Sequence, residues 1–289
     1  MPVKNYRLTA VIMALCLLAA VFVLKFTVSD AADELAPDPD SRSVLILMYH
    51  SILPDPDRQG EYVLSPSALE SDMLRLREAG YETVFVSDLI AFCEGKGELP
   101  EKPVILTFDD GQLNNLTYVL PLLVKHDMCA SFSAVGRFAE AASEEAERSE
   151  LWSYMDFYDL TALLQSGRAE LVNHTYDMHS LGERRGVLQL STESFREYRR
   201  AFFNDVLGAQ RLFKESLGVT PLCFAYPYGF SCEAARALVK VCGFKATLGT
   251  EGRSNLIRRC ESEDLYSLGR YNRPAGETSE QFLKRIGAI

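Results

Sequence analysis

The sequence predicts a single α/β barrel built around a mainly parallel sheet. Segments typical of strands and helices alternate seven or eight times along the 289 residues, which is the pattern of repeated βα units within one domain. Residues 104–108 form an apolar run without polar alternation, as expected of a parallel strand covered on both faces. Polar residues follow several of these strands, at the end where such folds bind ligands.

Each element is predicted from its local pattern. Short apolar runs bounded by Gly, Pro or Asp indicate strands, while Ser65 followed by Pro66 marks a helix start. Residues 139–150 are acidic and Ala-rich and predict a solvated helix or a mobile excursion. The predicted strands are residues 44–50, 83–86, 104–108, 130–135, 169–173, 221–226, 246–248 and 266–268. The predicted helices are residues 65–79, 87–93, 114–126, 156–165, 191–217, 232–242 and a last one from 279.

The N-terminus predicts a membrane anchor over residues 1–28. Lys4 and Arg7 precede residues 8–24, which contain no charge, Gly or Pro. The run is long enough for a short span and no small-residue cleavage site directly follows it, so we expect an uncleaved signal anchor, with secretion after signal cleavage as the alternative. The basic residues hold the N-terminus in the cytoplasm. The domain at residues 44–289 would then lie outside the cell, on a flexible tether at residues 29–43.

The net charge of the exported part limits the classes of partner that it can bind. Without Lys4, Arg7 and Lys25, 27 of the 30 basic residues remain against 40 acids, a net charge of about −13. We therefore expect no nucleic-acid partner, and no nucleotide cofactor. Six cysteines follow the anchor. They allow fifteen disulfide patterns, and the sequence does not select one of them. No CxxC pair is present, which disfavours a cysteine metal knuckle.

Two adjacent carboxylates, Asp109 and Asp110, follow the predicted strand at residues 104–108. Their mutual repulsion is relieved if one binds a cation and the other stays free as a base. Asp110 followed by Gly111 is also typical of a tight hairpin turn. The helical pattern that begins near Asn114 favours a strand–loop–helix unit instead, with the two acids at the strand end.

His174 and His179 follow the predicted strand at residues 169–173. On a regular helix or strand, a spacing of five residues would direct the two side chains apart, so they converge only on an irregular loop. Two histidines and one aspartate leave coordination positions open, which is the arrangement of a catalytic zinc. His126 ends a predicted helix and is expected to be structural.

Three motifs, in this order, resemble those of the polysaccharide deacetylases of the NodB-homology type, carbohydrate esterase family 4. They are TFDDG at residues 107–111, NHTYDMH at 173–179 and FAYPYG at 224–229. The resemblance covers residues 44–275, and LMYH at residues 47–50 is most similar to the branch that de-N-acetylates poly-N-acetylglucosamine. It implies a distorted (β/α) barrel of seven or eight strands and a hydrolase acting on an acetylated polysaccharide.

The resemblance also implies a role for each site residue. Asp110, His174 and His179 would be metal ligands, and Asp109 the general base. The metal would be zinc, with cobalt, nickel or manganese as alternatives, and would polarise the acetamide carbonyl and acidify a bound water. The backbone N–H of Tyr228 would hold the oxyanion.

Two positions depart from the pattern of the wider family. No histidine follows His179, so we expect the general acid to be His50, at the end of the first strand; the alternative is a structural histidine. Ala225 stands where the wider family has an arginine that orients the base. Arg270 is our hypothesis for that task.

Substrate contacts are expected from Tyr226, Pro227, Tyr228 and Arg270. Trp152 is either a sugar-stacking residue or core. Loops at residues 53–60 and 184–191 are expected to select the substrate.

Three functions stay open on the sequence alone. The first is N-acetyl removal from an exopolysaccharide at the cell surface. The second keeps the chemistry but acts on peptidoglycan N-acetylglucosamine or on O-acetyl groups of xylan. The third is a catalytically silent carbohydrate-binding protein, which the presence of both acids and both metal histidines disfavours.

Overall fold

The computed structural model describes residues 40–289 and places a β-sheet at the centre of this region, with helices packed against it. The strands are β1 (Ser41–Tyr49), β2 (Ser51–Ile52), β3 (Val63–Leu64), β4 (Glu82–Thr83), β5 (Pro103–Phe108), β6 (Ala130–Ala134), β7 (Ala169–Asn173), β8 (Cys223–Ala225), β9 (Ala246–Leu248), β10 (Asn255–Arg258) and β11 (Tyr271–Asn272). The helices are α1 (Pro66–Glu78), α2 (Val86–Cys93), α3 (Leu120–His126), α4 (Gly136–Ala142), α5 (Phe157–Gln165), α6 (Phe195–Leu217), α7 (Glu233–Val241) and α8 (Ser279–Arg285).

The strands of the main sheet lie in the order β10-β1-β5-β6-β7-β8-β9, with β4 paired to β5 and β11 paired to β1. From β1 to β9 the neighbouring strands are parallel. Helices connect most of these strands, which is the winding of βα units. The predicted α/β class is therefore confirmed. β2 and β3 form a separate two-stranded ribbon.

An irregular segment closes the gap between β9 and β1. Leu268 donates to the carbonyl of Thr247 and accepts from the N–H of Gly249, both at 2.8 Å, and Tyr271 pairs with Leu47 of β1. The strand predicted at residues 266–268 was wrong, since only an isolated bridge forms at Leu268. Ser267 adopts a φ of 57°, which breaks an extended strand. The sequence patterns also missed β10 and β11.

Period-two alternation divides the side chains of β5 between two apolar clusters. Val104, Leu106 and Phe108 pack in the cluster that contains residues of α1, α5 and α8. Ile105 packs on the opposite face, in the cluster that contains Ile46 of β1, Val172 of β7 and residues of α2. Successive side chains of a strand point to opposite faces, so residues two positions beyond Ile105 and Ile46 continue on this second face.

Aromatic stacking ties the ends of three neighbouring strands together. The Phe108 ring lies 5.1 Å from the Tyr49 ring and 5.1 Å from the Phe132 ring, in nearly parallel planes. Such cross-strand pairs contribute about 0.5–1.5 kcal/mol each beyond burial. The stack fixes the carboxyl ends of β1, β5 and β6 just before the polar residues that follow them.

A buried ion pair anchors the chain that follows β11. Arg273 donates to Asp72 of α1 from Nε at 2.9 Å and from a terminal nitrogen at 3.2 Å, and both side chains are fully buried. Tyr49 donates to the same carboxylate at 3.3 Å. The backbone N–H of Arg273 bonds to the carbonyl of Met48 in β1. These contacts hold the segment of residues 268–273 against the sheet.

Two helices begin or end away from their predicted bounds. A solvated helix or a mobile excursion was predicted for residues 139–150. The structure has the helix α4 at Gly136–Ala142, and turns follow it. α6 starts at Phe195 and not at residue 191, because Ser194 and Glu197 form a capping box that satisfies the first N–H groups.

The predicted anchor at residues 1–28 and most of the predicted tether lie outside the described residues. Residues Arg42–Ile289 form one compact unit. Within residues 40–289, no helix combines the length and apolar character needed to span a bilayer.

Candidate active site and metal centre

The polar residues of the candidate site lie just beyond the carboxyl ends of three parallel strands. His50 follows β1, Asp109 follows β5 and His174 follows β7. Alternation from Ile46, Ile105 and Val172 places all three on the same face of the curved sheet. They line one cleft of about 470 Å³ together with Asp110, His179 and Tyr228.

Asp110 leaves the strand geometry and turns toward the two histidines. Its φ is 71°, a left-handed conformation that Asp adopts more readily than most residues. Its Oδ1 lies 3.1 Å from Nε2 of His179 and 3.6 Å from Nε2 of His174. The three candidate ligand atoms lie within 4.8 Å of one another. The loop after β7 is irregular, with Thr175 at a φ of 74°, and this irregularity lets His174 and His179 converge.

The other nitrogen of each ring has its own partner. Nδ1 of His174 lies 2.8 Å from the carbonyl oxygen of Ala225 and must donate to it, because a carbonyl only accepts. In the neutral ring Nε2 is then an unprotonated donor of an electron pair. Nδ1 of His179 lies 3.2 Å from the Tyr228 hydroxyl. Two oriented imidazole nitrogens and one carboxylate oxygen form a donor set that fits a divalent metal ion.

His174 and His179 act on the pKa of Asp110, and Asp110 and Asp109 act on the pKa of His174. Burial raises the pKa of Asp110, but hydrogen bonds with His174 and His179 outweigh it and hold the pKa well below its usual range. Burial lowers the pKa of His174, but the hydrogen bond with Asp110 and the charges of Asp109 and Asp110 raise it by more. The pKa of His174 therefore lies above its usual value. A divalent cation would take over the neutralising role of the protons and release them.

Asp109 is held by Arg270. The two terminal nitrogens of Arg270 donate to Oδ1 and Oδ2 of Asp109, each at 2.8 Å, with side chains 0% and 4% exposed. Arg270 also donates to Thr107 Oγ1 at 3.1 Å and to the carbonyl of Gly249 at 2.8 Å. The hypothesis that Arg270 orients the base requires this contact between Arg270 and Asp109. Burial raises the pKa of Asp109, but the charges of Arg270, His174 and His50 and the hydrogen bonds from Arg270 together outweigh this effect. The pKa therefore lies below its usual range, and the carboxylate stays ionised.

His50 lines the cleft, and one of its ring nitrogens has no hydrogen-bond partner among the described residues. Its Nδ1 is buried and has no hydrogen-bond partner among residues 40–289, and the ring packs edge-on against Tyr62 with centroids 4.8 Å apart. Burial lowers the pKa of His50, although Asp109 and Asp110 oppose this. A purely structural histidine at a strand end would be expected to satisfy both nitrogens.

Two of the predicted substrate contacts lie elsewhere. Tyr226 is 2% exposed and packs in an apolar cluster with Phe224, and Pro227 is also buried; neither lines the cleft. Alternation along β8 explains the position of Tyr226, because Ala225 takes the cleft-side face and its neighbours take the other. Pro227 lies in the short turn that follows β8. Arg270 is fully buried behind Asp109, so it is placed to hold the base and not to touch a substrate. Trp152 is 61% exposed but lies outside the cleft lining.

Tyr228 lies at the rim of the cleft, 41% exposed. It adopts a left-handed φ of 58° inside the short turn Pro227–Gly229. Gly229 follows at a φ of 71°, and a Cβ there would clash with the side chain of Thr250. The glycine of the FAYPYG motif therefore permits a close approach that sets the position of Tyr228.

Sequence patterns missed four polar or aromatic residues of the cleft lining, Glu61, Tyr62, Thr250 and Asn272, and two apolar ones, Met48 and Leu181. The first two come directly after the loop at residues 53–60, which was expected to select the substrate. Thr250 could have been found from alternation, since it lies two residues beyond Leu248. Asn272 belongs to β11, which had no recognisable pattern. His126 lies apart from the cleft and bonds to Glu70 at 2.7 Å.

The curved sheet and this cleft define an α/β protein with a candidate catalytic metal centre beside a buried Asp–Arg pair. The family model described as polysaccharide deacetylase matches residues 96–247, just over half of the chain. The chain belongs to the polysaccharide deacetylase family.

Individual relatives share only about a fifth to a quarter of their residues with this chain. The poly-β-1,6-N-acetyl-D-glucosamine N-deacetylase of Escherichia coli K12 is 23% identical over 245 residues, covering 74% of this chain and 36% of the relative. The chain thus spans about a third of the length of that curated relative. Among solved structures, IcaB from Ammonifex degensii is 23% identical with a TM-score of 0.68, over 86% of this chain and 97% of IcaB. A de-N-acetylase from Aggregatibacter actinomycetemcomitans is 21% identical with a TM-score of 0.73, over 84% and 99%. These two likenesses establish the fold.

Removal of any one of Asp110, His174 and His179 is expected to abolish stoichiometric metal binding. We predict about one divalent ion per chain for the unmodified protein after dialysis, and an affinity at least about 100-fold weaker for His174→Ala or His179→Ala, since even outer contacts of metal ligands contribute 10–100-fold. Elemental analysis and calorimetric zinc titration measure this. His126→Ala is the matched control and should bind as the unmodified protein does. Full binding by His174→Ala would contradict the assignment.

Proposed function

We propose that this protein is a metal-dependent hydrolase that removes N-acetyl groups from N-acetylglucosamine residues of an extracellular polysaccharide of the poly-N-acetylglucosamine type. Membership of the polysaccharide deacetylase family supports the reaction class. The printed activity of the Escherichia coli relatives supports the polymer. The structures of IcaB and of the Bordetella bronchiseptica BpsB deacetylase domain share the fold.

One observation carries the proposal: two adjacent carboxylates have separate partners within one cleft. Asp109 is fixed by Arg270, whereas Asp110 faces two histidine nitrogens. This separation supplies a base that remains ionised beside a site that fits a metal ion. The buried Asp72–Arg273 pair lies away from the cleft and holds the fold, whereas Asp109 lines the cleft beside the candidate metal site, where an ionised carboxylate can act as a base.

The proposed chemistry divides among the cleft residues. A divalent metal ion held by Asp110, His174 and His179 would polarise the acetamide carbonyl and acidify a water molecule. Asp109, ionised and oriented by Arg270, accepts the proton of the attacking water. The backbone N–H of Tyr228 is assigned to the carbonyl oxygen as it gains negative charge.

The departing glucosamine nitrogen needs a proton, because an amide anion is a very poor leaving group. His50 is assigned as the general acid. Its ring lines the same cleft as Asp109 and Asp110, whose charges favour the imidazolium form that a general acid needs, although burial lowers its pKa.

We also propose that residues 1–28 anchor the protein in the cell membrane with residues 44–289 outside the cell, where the polysaccharide is. The charge-free run at residues 8–24, preceded by Lys4 and Arg7, supports this. Protease added to intact cells should remove the deacetylase domain from the membrane fraction. Full protection until the cells are lysed would contradict the proposed location.

Acetate release from defined polymers tests the function. The full-length protein in detergent, loaded with metal, should release acetate from poly-β-1,6-N-acetylglucosamine oligomers faster than from peptidoglycan or acetylated xylan. Asp109→Asn should lower kcat by about 10²–10⁴-fold, because the general base is lost while the shape is kept. A chelator should abolish the activity, and His126→Ala should leave it unchanged.

The competing functions correspond to other outcomes of this assay. Faster release from peptidoglycan or xylan would reassign the substrate. Silence on all three polymers by the metal-loaded protein, with retained binding of the oligomer, would favour the carbohydrate-binding alternative.

The assignment of His50 is tested with His50→Gln. We expect kcat to fall by about 10²-fold or more for the amide substrate, while an aryl acetate ester, whose leaving group needs no protonation, is hydrolysed at a nearly unchanged rate. His126→Ala, which replaces a histidine outside the cleft, is the matched control and should leave both rates unchanged. Equal losses of His50→Gln on both substrates would argue for a structural role of this histidine.

A further inference from the structure

Two of the six described cysteines lie side by side at the edge of the sheet. Cys93 is the last residue of α2 and is buried, whereas Cys260 is exposed in the turn that follows β10. The backbone N–H of Cys260 donates to the carbonyl of Cys93 at 2.8 Å. Residues joined in this way have Cα atoms roughly 5–6 Å apart. This separation falls within the range of about 4.4–6.8 Å that disulfides span.

The side chains of both cysteines border the same space. Cys93 and Cys260 line one surface cavity of about 370 Å³, together with Lys245. Burial raises the pKa of the Cys93 thiol, whereas Cys260 is open to solvent. An exposed thiol that reacts first and a protected thiol beside it that resolves the mixed disulfide are the two partners that thiol–disulfide exchange needs.

Two of the pairings among the other four cysteines are geometrically unfavourable. Cys129 and Cys223 lie at the starts of β6 and β8, which are separated by β7, so they are roughly 10 Å apart. Cys232 and Cys242 flank the two ends of α7 and are separated by about 15 Å along its axis. Both distances exceed the span of a disulfide.

We propose that Cys93 and Cys260 form a disulfide in the mature protein. This inference rests on the extracellular location proposed above, where an oxidising compartment permits the bond. The oxidant is a small-molecule or protein disulfide. The Cys260 thiolate attacks one of its sulfurs and releases a thiolate; the Cys93 thiolate then attacks the Cys260 sulfur and releases the second. The two cysteine thiols lose two protons and two electrons, and the oxidant disulfide takes them up and is reduced to two thiol groups.

The bond would constrain the part of the chain that completes the active site. Cys260 lies between β10 and the segment of residues 268–273, which fills the gap in the sheet and carries Arg270 to Asp109. Joining Cys260 to the end of α2 fixes the start of this connection to the apolar cluster that contains Cys93 and Leu265. The cross-link therefore stabilises the sheet closure without contacting the cleft.

Formation of the disulfide between Cys93 and Cys260 is tested in vitro with the full-length protein in detergent. After equilibration with oxidised glutathione, thiols are alkylated and peptides are mapped by mass spectrometry. We expect a peptide pair joined through Cys93 and Cys260, and a thermal midpoint about 5–10 °C above that of the reduced protein. Cys260→Ser should abolish this difference, and Cys242→Ser should retain it. A midpoint difference that persists in Cys260→Ser, or a peptide joined through other cysteines, would overturn the proposal.

The state in cells is tested separately by alkylating intact cells before lysis. Cross-linked Cys93 and Cys260 in this sample support the proposal. Bond formation with glutathione in vitro but two alkylated thiols in cells would overturn it for the native protein, and would also bear on the proposed location. Neither result depends on acetate release, so failure here is distinct from failure of the deacetylase assignment.

Discussion

The bidentate ion pair between Arg270 and Asp109 is the contact on which the site depends. Removing two charges from water costs several kcal/mol per ion, and here the cost is offset by two charge-assisted hydrogen bonds and by further bonds from Arg270 to Thr107 and Gly249. The pair forms only because the irregular segment beside β9 brings Arg270 across the gap in the sheet. Sheet closure and site assembly are therefore one event.

This pair also resolves the repulsion between the adjacent acids. Asp109 finds its positive partner within the chain, and Asp110 faces nitrogens that fit an external cation. The two carboxylates thus do not compete for one counter-charge, and neither needs to be protonated. A second buried pair, between Arg273 and Asp72, supports this arrangement from three residues away, because it fixes the same segment to α1.

Sequence patterns located the strand-end residues His50, Asp109 and His174 because alternation and burial are local properties of strands. The same rule, applied to β8, would have separated Ala225 on the cleft side from Tyr226 on the opposite face. Other features have no local signal: β11 is two residues long, and Tyr62 is placed beside the cleft by the pairing of β2 with β3, where its carbonyl accepts from the N–H of Ser51. The role of Arg270 was inferred only from the missing arginine at Ala225, and its position depends on a long-range closure.

The left-handed backbone at Asp110, Thr175 and Tyr228 has a thermodynamic consequence. Each residue stands directly after or near a strand end and stores strain of order 1–3 kcal/mol that a glycine would avoid. Such strain persists only where the surrounding sheet determines the conformation. A ligand that prefers this geometry is bound by a rim that is already ordered, and by linkage it stabilises the folded chain in return. A metal ion bound by Asp110, His174 and His179 would then raise the free energy of unfolding of the chain.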